Sequence, residues 1–195
     1  MDLLCVYHRS GMRASVYRMI LTDFVSYLEM TSPDQLRPAV VDRALRLRSV
    51  GMDELPLVRK VHDVVAGPHD WESLRWSEQR WREHLGRPGV HTWIAEFGGA
   101  PAGLAQLQVQ PGGDVETEFF GLMPEFIGRG IGGGLLTLVT RAAWGLPSVD
   151  GTPIQRVWQR TSVYDHPNAL PGYLARGYRL YRTEARQREF TSLPR

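Results

Sequence analysis

The sequence predicts a mixed α/β fold, an α+β arrangement in which a mostly antiparallel sheet is flanked by helices. Three observations carry this prediction. Short runs such as "ALRLRSV" (44–50) alternate apolar and basic residues, the period of a half-buried strand. Residues 91–122 read as three successive strands with turns at "GGAP" and "QPGGD". The stretch "MPEFIGRGIGGGLL" (123–136) then opens an amphipathic helix between two strand patterns, which makes one β-α-β crossover.

Taken in order, "VSYLEM" (25–30) is a short strand ended by the turn-prone "TSPD". After the strand at 44–50, "MDELPLVRKVHDVVA" (52–66) places Leu55, Val58, His62 and Val65 on one helical stripe, with Pro56 tolerated in the first turn. "SLRWSEQRWREHLG" (73–86) is a second helix with Trp81 and Leu85 on one face and Gly86 as its stop. Beyond the three strands, the glycine-led helix has an apolar face of Ile131, Leu135, Leu138, Val139 and Ala142. "IQRVWQRTS" (154–162) is a strand, "NALPGYLAR" (168–176) a short helix and "RLYRTEARQREF" (179–190) a terminal strand. The order is ββααβββαβαβ: antiparallel hairpins first, then the crossover, so the sheet is not doubly wound. Residues 1–24 lack periodicity and read as an N-terminal extension, flexible or lying ahead of a later start at Met12 or Met19. Residues 25–195 then form one domain.

The chain-wide properties narrow the function. A chain of 195 residues suits one domain with a real core. The net charge of +2 and the scattered arginines argue against nucleic-acid binding. A single cysteine, Cys5, excludes an internal disulfide framework and fits a reducing cytoplasm. No apolar run approaches the roughly 18 residues of a membrane span, and the start lacks the basic region of a signal peptide. The expected location is therefore cytoplasmic. His62, His69, His84 and His91 show no ligand spacing, so no metal is expected, and His62 faces the core of its helix.

Glycine inside a helix costs roughly 1 kcal/mol relative to alanine, so Gly132, Gly133 and Gly134 forgo about 3 kcal/mol. Gly128, Gly130 and Gly133 formally match G-x-G-x-x-G, but the acidic residue at the required distance, Asp150, precedes the next strand instead of ending it. Phosphate loops of the P-loop and kinase kinds need a following lysine, and none follows Lys60. A tight structural turn would need only one or two glycines. The remaining reading is physical. A helix N-terminus exposes unpaired N–H groups and a positive dipole end, and glycines let a diphosphate reach them. Arg129 would add a cation.

At this point "GLMPEFIGRGIGGGLL" (121–136) resembles the acetyl-CoA-binding segment of the GNAT superfamily of N-acyltransferases. In that segment a strand ends in a hydrophobic residue two before Pro-Glu, and R/Q-x-x-G-x-G/A and a helix follow. "DHPNALPGYLARGYRLY" (165–181) resembles the family's next element, with a tyrosine four residues before Gly-Tyr. The similarity spans roughly residues 40–185. It implies acetyl transfer from acetyl-CoA to a primary amine, small molecule or peptide, by direct attack in a ternary complex. Homodimers are common in the family. An alternative of another class is a non-catalytic acyl-CoA-binding module of the same fold.

The resemblance also implies roles for individual residues. Leu122 and Met123 would bond the acetyl carbonyl and the pantetheine arm through their backbone. Ile127, Gly128, Arg129, Gly130, Ile131, Gly132 and Gly133 would hold the pyrophosphate, with Ile127 standing where the family has Arg or Gln. Alternation puts Glu116, Glu118, Phe120 and Leu122 on one strand face. Glu116 is the candidate base, and Glu118 is the second choice or an amine anchor. Tyr173 matches the tyrosine that protonates the CoA sulfur. Asn168 would touch the cofactor or cap its helix, and His166 is a further contact candidate. Trp71, Trp76 and Trp81 either wall the acceptor site or pack in the core, with Trp76 the substrate-binding candidate.

Overall fold

In the computed structural model, which describes residues 19–190, seven strands form one sheet: β1 (Met19–Met30), β2 (Leu45–Val50), β3 (Val90–Phe97), β4 (Ala100–Gln110), β5 (Asp114–Leu122), β6 (Arg156–Ser162) and β7 (Arg179–Phe190). Four α-helices join them: α1 (Leu55–Ala66), α2 (Glu78–Leu85), α3 (Gly132–Trp144) and α4 (Ala169–Ala175). The element order is the one expected. The sheet order is β2-β3-β4-β5-β6-β1-β7, and every neighbouring pair is antiparallel except β5 and β6, which α3 connects. Alternate residues of β4 feed two cores on opposite faces. Leu104 joins Val58, Val61 and Val65 of α1, whereas Ala105, Leu107 and Val109 join Leu135, Leu136 and Val139 of α3.

The first strand departs from the sequence reading. It starts at Met19, six residues earlier than the apolar pattern suggests, and it inserts between β6 and β7 instead of forming a hairpin with β2. Asp23 explains both differences. A carboxylate in mid-strand breaks an apolar pattern, yet here it is fully buried because Arg186 and Arg188 of β7 reach it at 3.1 and 3.6 Å and the Ser162 hydroxyl donates to it. Partners so distant in sequence leave no local signal. Residues 1–18, the rest of the expected extension, lie outside the described residues.

Asp150 has a structural task. It accepts hydrogen bonds from the Gly112 and Thr152 backbone N–H groups at 2.8 and 2.9 Å, which hold its pKa down at about 2. The reading against a dinucleotide loop is consistent with that geometry.

Pairing of β5 with β6 ends at Thr117 and Gln159. Just there β5 carries a bulge: Leu107 of β4 faces Thr117, Gln106 faces Phe119, and Glu118 is left over. A bulge inserts one residue and reverses the alternation beyond it. The expected common face of Glu116, Glu118, Phe120 and Leu122 is therefore broken. Phe120 and Leu122 pack on the α3 side, whereas Phe119 packs with the aromatic side chains of α1 and α2. Past the bulge the two strands part like a fork.

The end of α4 closes against the connector after β1. Gly177 has φ of +97°, and a Cβ there would lie 2.0 Å from the Gln35 carbonyl oxygen. Gly128 also has positive φ, +82°, but open space around it. Gly177→Ala should therefore cost more than the ~1–3 kcal/mol of backbone strain that Gly128→Ala can impose. Thermal melts of the two variants should show the larger drop for Gly177→Ala.

Candidate active site

The fork opens into a cleft of about 920 Å³ that reaches from the glycine loop to the α1–α2 side of the sheet. Its wall on β5 is backbone. The Met123 N–H donates to the Ala102 carbonyl of β4 at 2.8 Å. Strand N–H and C=O groups alternate in direction, so Phe120 and Leu122 turn theirs into the fork. Leu122 thus presents its backbone to the cleft, whereas the Met123 N–H is spent on β4 and its side chain packs against both cores. Phe120 joins Leu122 on this wall, and only the bulge reveals which way it faces. At the vertex stands Gln159, 1% exposed and lining the cleft, and both polar atoms of its amide lack a partner among the described residues.

At the other end, Gly128 and Gly130 adopt φ of +82° and +76°, where L side chains are strained, and a Cβ on either would meet nothing within 4 Å. Helix α3 follows with no side-chain cap at Ile131, so its first N–H groups stay available. Gly132 and Gly133 line the cleft, but Ile131 is buried in the core, and a Cβ on Gly134 would lie 2.9 Å from the Val40 carbonyl oxygen. Ile127 lines the cleft with its N–H bonded to the Pro124 carbonyl oxygen at 3.2 Å, so its backbone donor is already used. The Arg129 guanidinium lies over the Phe126 ring at 4.9 Å and is not part of the lining. Arg176 is: it lies beside Gly133, has a buried Nε without a partner, and forms no ion pair among the described residues. Nothing in the sequence distinguishes it from its neighbours.

Tyr173 of α4 lines the same cleft, its ring 6.2 Å from that of Phe120. Burial, with Asp165 and Tyr178 adding to it, pushes its phenol well above the usual value, so it stays protonated. Asn168 occupies the N-cap position of α4, but its side chain makes no capping bond, and it lines the cleft. His166 lines it too, with Nδ1 accepting from the Asn168 N–H at 3.2 Å.

The far wall is aromatic and charged. Trp81 is a core residue, but Trp71 and Trp76 line the cleft. Trp71 stacks on Phe119 and donates through Nε1 to Asp165 at 2.9 Å. Trp76 packs against Trp81, His84 and Phe119, with Arg80 over its ring at 4.6 Å. Glu118 faces this wall. Both its oxygens accept from Arg87 at 2.8 Å, and His84 Nε2 lies 3.3 Å away. Burial alone would raise its pKa, but the hydrogen bonds from His84 and Arg87 outweigh that and hold it below the usual value. Glu116 lies below the fork, opposite Trp158 of β6, and is not among the lining residues. Its carboxylate accepts from Gln110 at 3.1 Å, Arg160 stands 3.8 Å away, and burial raises its pKa.

An open glycine cradle, an uncapped helix start, a cation without an ion pair and an unpaired strand edge suit an elongated ligand carrying a diphosphate at one end. Residues 58–150 match the model of the acetyltransferase (GNAT) family. Solved structures share the fold: a GCN5-related N-acetyltransferase from Kribbella flavida (17% identity, TM-score 0.59, covering 87% of this chain and 58% of that one). Another, from Sphaerobacter thermophilus, is 15% identical with a TM-score of 0.59 over 86% of this chain and 51% of its own. A protein of unknown function from Staphylococcus epidermidis is 14% identical with a TM-score of 0.58, over 89% and 64%. The chain thus spans about half to two thirds of the length of these structures. No curated protein matches its sequence.

An amide buried without a partner destabilises a fold by about 1–3 kcal/mol, whereas an apolar group of similar shape does not. Gln159→Leu should therefore raise the melting temperature of the free protein. If Gln159 serves a ligand in the cleft, the same variant should gain less stability from added acetyl-CoA than the parent does, as differential scanning fluorimetry would read.

Proposed function

We propose that this chain transfers an acetyl group from acetyl-CoA to a primary amine by direct attack in a ternary complex. The observation that carries the proposal is that one cleft combines the open glycine cradle, the free edge of β5 and a buried, protonated tyrosine. In this reading the N–H groups of the 128–133 loop, together with Arg176, hold the diphosphate, Asn168 contacts the arm, and the backbone of Phe120 and Leu122 guides the thioester. Acetyl-CoA supplies an activated carbonyl: the amine nitrogen bonds to that carbon and the carbon–sulfur bond breaks. Tyr173, kept protonated by burial, donates its proton to the departing sulfur. Trp71, with the Asp165 carboxylate on its Nε1, offers the acceptor side of the cleft an indole wall that attracts a cationic acceptor. Cys5 lies outside the described residues and has no part in this scheme.

Thermal-shift titration with CoA and acetyl-CoA tests the donor, and free-thiol release over a panel of amines tests the transfer. Stabilisation by acetyl-CoA with no thiol release on any amine would identify a binding module instead of an enzyme. Tyr173→Phe should lower kcat on the order of 10²-fold while leaving acetyl-CoA binding intact. Arg176→Ala should weaken CoA binding about tenfold and reduce its salt dependence, and Arg129→Ala should change it less. Isothermal titration at two ionic strengths would read both.

A further inference from the structure

Neither strand carboxylate offers the cleft a free proton acceptor. Glu118 is tied to Arg87 and His84, and Glu116 stands outside the lining. A different constellation does reach the wall. Ser73, in the short 3-10 turn Glu72–Arg75, is 4% exposed and lines the cleft. Its Oγ lies 2.8 Å from His62 Nε2, and His62 Nδ1 lies 2.9 Å from Asp63 Oδ1. The imidazole is fully buried, edge-on to Trp81 and Phe119 at 4.7 and 5.0 Å and tilted against Trp71 at 5.9 Å. The Asp63 side chain, by contrast, is 48% exposed. One chain of hydrogen bonds therefore runs from the cleft wall, through a dry aromatic box, to solvent on the outer side of α1.

Chemistry sets the direction of that chain. A carboxylate only accepts, so Nδ1 carries the ring hydrogen, Nε2 is the acceptor, and Ser73 donates its O–H to Nε2. The charged and titratable groups facing the ring are Asp63 and Arg59 from α1 and His84 from α2; the 3-10 turn and β5 present Ser73, Trp71 and Phe119, which carry no charge. Burial lowers the His62 pKa more than Asp63 raises it, so the imidazole is neutral near pH 7 and free to take a proton.

We propose that Ser73, His62 and Asp63 form the proton relay that deprotonates the acceptor amine. Ser73 is the catalytic residue that touches the amine; His62 and Asp63 act through it as positioning residues. This rests on the proposed amine acetylation. The bound ammonium gives one proton to Ser73 Oγ while the Ser73 hydroxyl proton passes to His62 Nε2, which frees the nitrogen lone pair to attack. The second proton, shed once the N–C bond has formed, replaces the one that Tyr173 gives to the sulfur. The imidazolium is held by the Asp63 carboxylate until the Nε2 proton returns through Ser73 to solvent in the open cleft, which restores the starting tautomer. Ser73 ends as a hydroxyl, no covalent bond to the protein forms, and no further reactant is consumed.

The relay is tested on the full chain with acetyl-CoA and an amine that the thiol-release panel identifies. If no amine is acetylated, the proposed function fails first, and the two failures are thereby told apart. Asp63→Asn keeps the hydrogen bond on a half-exposed helix surface and removes the charge. It should lower kcat about tenfold or more, with the KM for acetyl-CoA and the melting temperature unchanged. Losing the carboxylate removes what raises the His62 pKa, so the acidic limb of the kcat/KM profile should move to lower pH. Ser73→Ala should lower kcat on the order of 10²-fold, and Ser73→Thr, which restores a hydroxyl, should recover most of it. The relay is overturned if Asp63→Asn and Ser73→Ala both keep kcat within twofold of the parent. It is equally overturned if the loss in Ser73→Ala only follows a fall in melting temperature while Asp63→Asn is unaffected. An acetyl adduct on Ser73, seen by mass spectrometry, would make Ser73 a nucleophile and overturn the relay as well.

Discussion

Two strands that run in register for four residue pairs and then part leave a row of backbone groups without partners, and the site depends on that gap. Buried N–H and C=O groups in folded proteins are almost always paired, so a fork inside a sheet persists only where something else satisfies its edges. The cause of the fork is the single extra residue at Glu118. It ends the β5–β6 ladder at Thr117 and turns Phe120 and Leu122 toward α3 and the carboxylate of Glu118 toward α2. One bulge therefore opens the cleft, frees the strand edge and separates the two sides of the site.

The glycines at the other end of the fork answer to two different constraints. Gly128 and Gly130 need positive φ and border open space, which is the geometry of a surface that another molecule approaches. Gly134 needs no special torsion. It is bare because the chain at Val40 and Val41 passes against the helix, close enough that a Cβ would lie 2.9 Å from the Val40 carbonyl oxygen. Gly133 shares both duties, lining the cleft and leaving room for Arg176 and Ala39. The helix-propensity cost of the triple glycine thus divides between ligand access and the packing of the connector after β1. Thr137 ties that connector down, accepting from the Ala39 N–H at 2.9 Å and donating to the Gly133 carbonyl oxygen at 2.8 Å.

What the sequence reveals follows the range of the interaction involved. The element order and the crossover rest on local periodicity and short motifs, and they are legible. The insertion of β1 rests on Asp23 meeting Arg186 and Arg188, and no window of sequence holds both ends of those pairs. The bulge is invisible because nothing in "VETEFFGL" itself marks which residue is extra; the register shift exists only against β4. Arg176 and Arg129 look alike as letters. They differ in the structure because one lies over Phe126 and the other lies beside Gly133. Of three tryptophans with similar spacing, Trp81 faces inward on α2, and Trp71 and Trp76 sit in the irregular segment that turns them to the cleft.

The charge distribution along the cleft divides it into two chemically distinct halves. Around the glycine loop the described lining is backbone N–H groups and the Arg176 cation, which suits an anion. Around the aromatic wall the carboxylates are already engaged: Glu118 is paired with Arg87, and Asp165 accepts from Trp71, Thr161 and Ser162. Paired charges of this kind contribute little net field, so recognition there falls to shape and to the indole faces. That balance has a consequence for catalysis. A carboxylate already bonded to a guanidinium is a weak base, so a wall built to hold a charged acceptor cannot readily deprotonate it with the same groups. A neutral imidazole shielded by Trp71, Trp81 and Phe119, and reaching the wall only through a hydroxyl, separates the two tasks: binding is left to the charged surface, and proton removal to the buried ring.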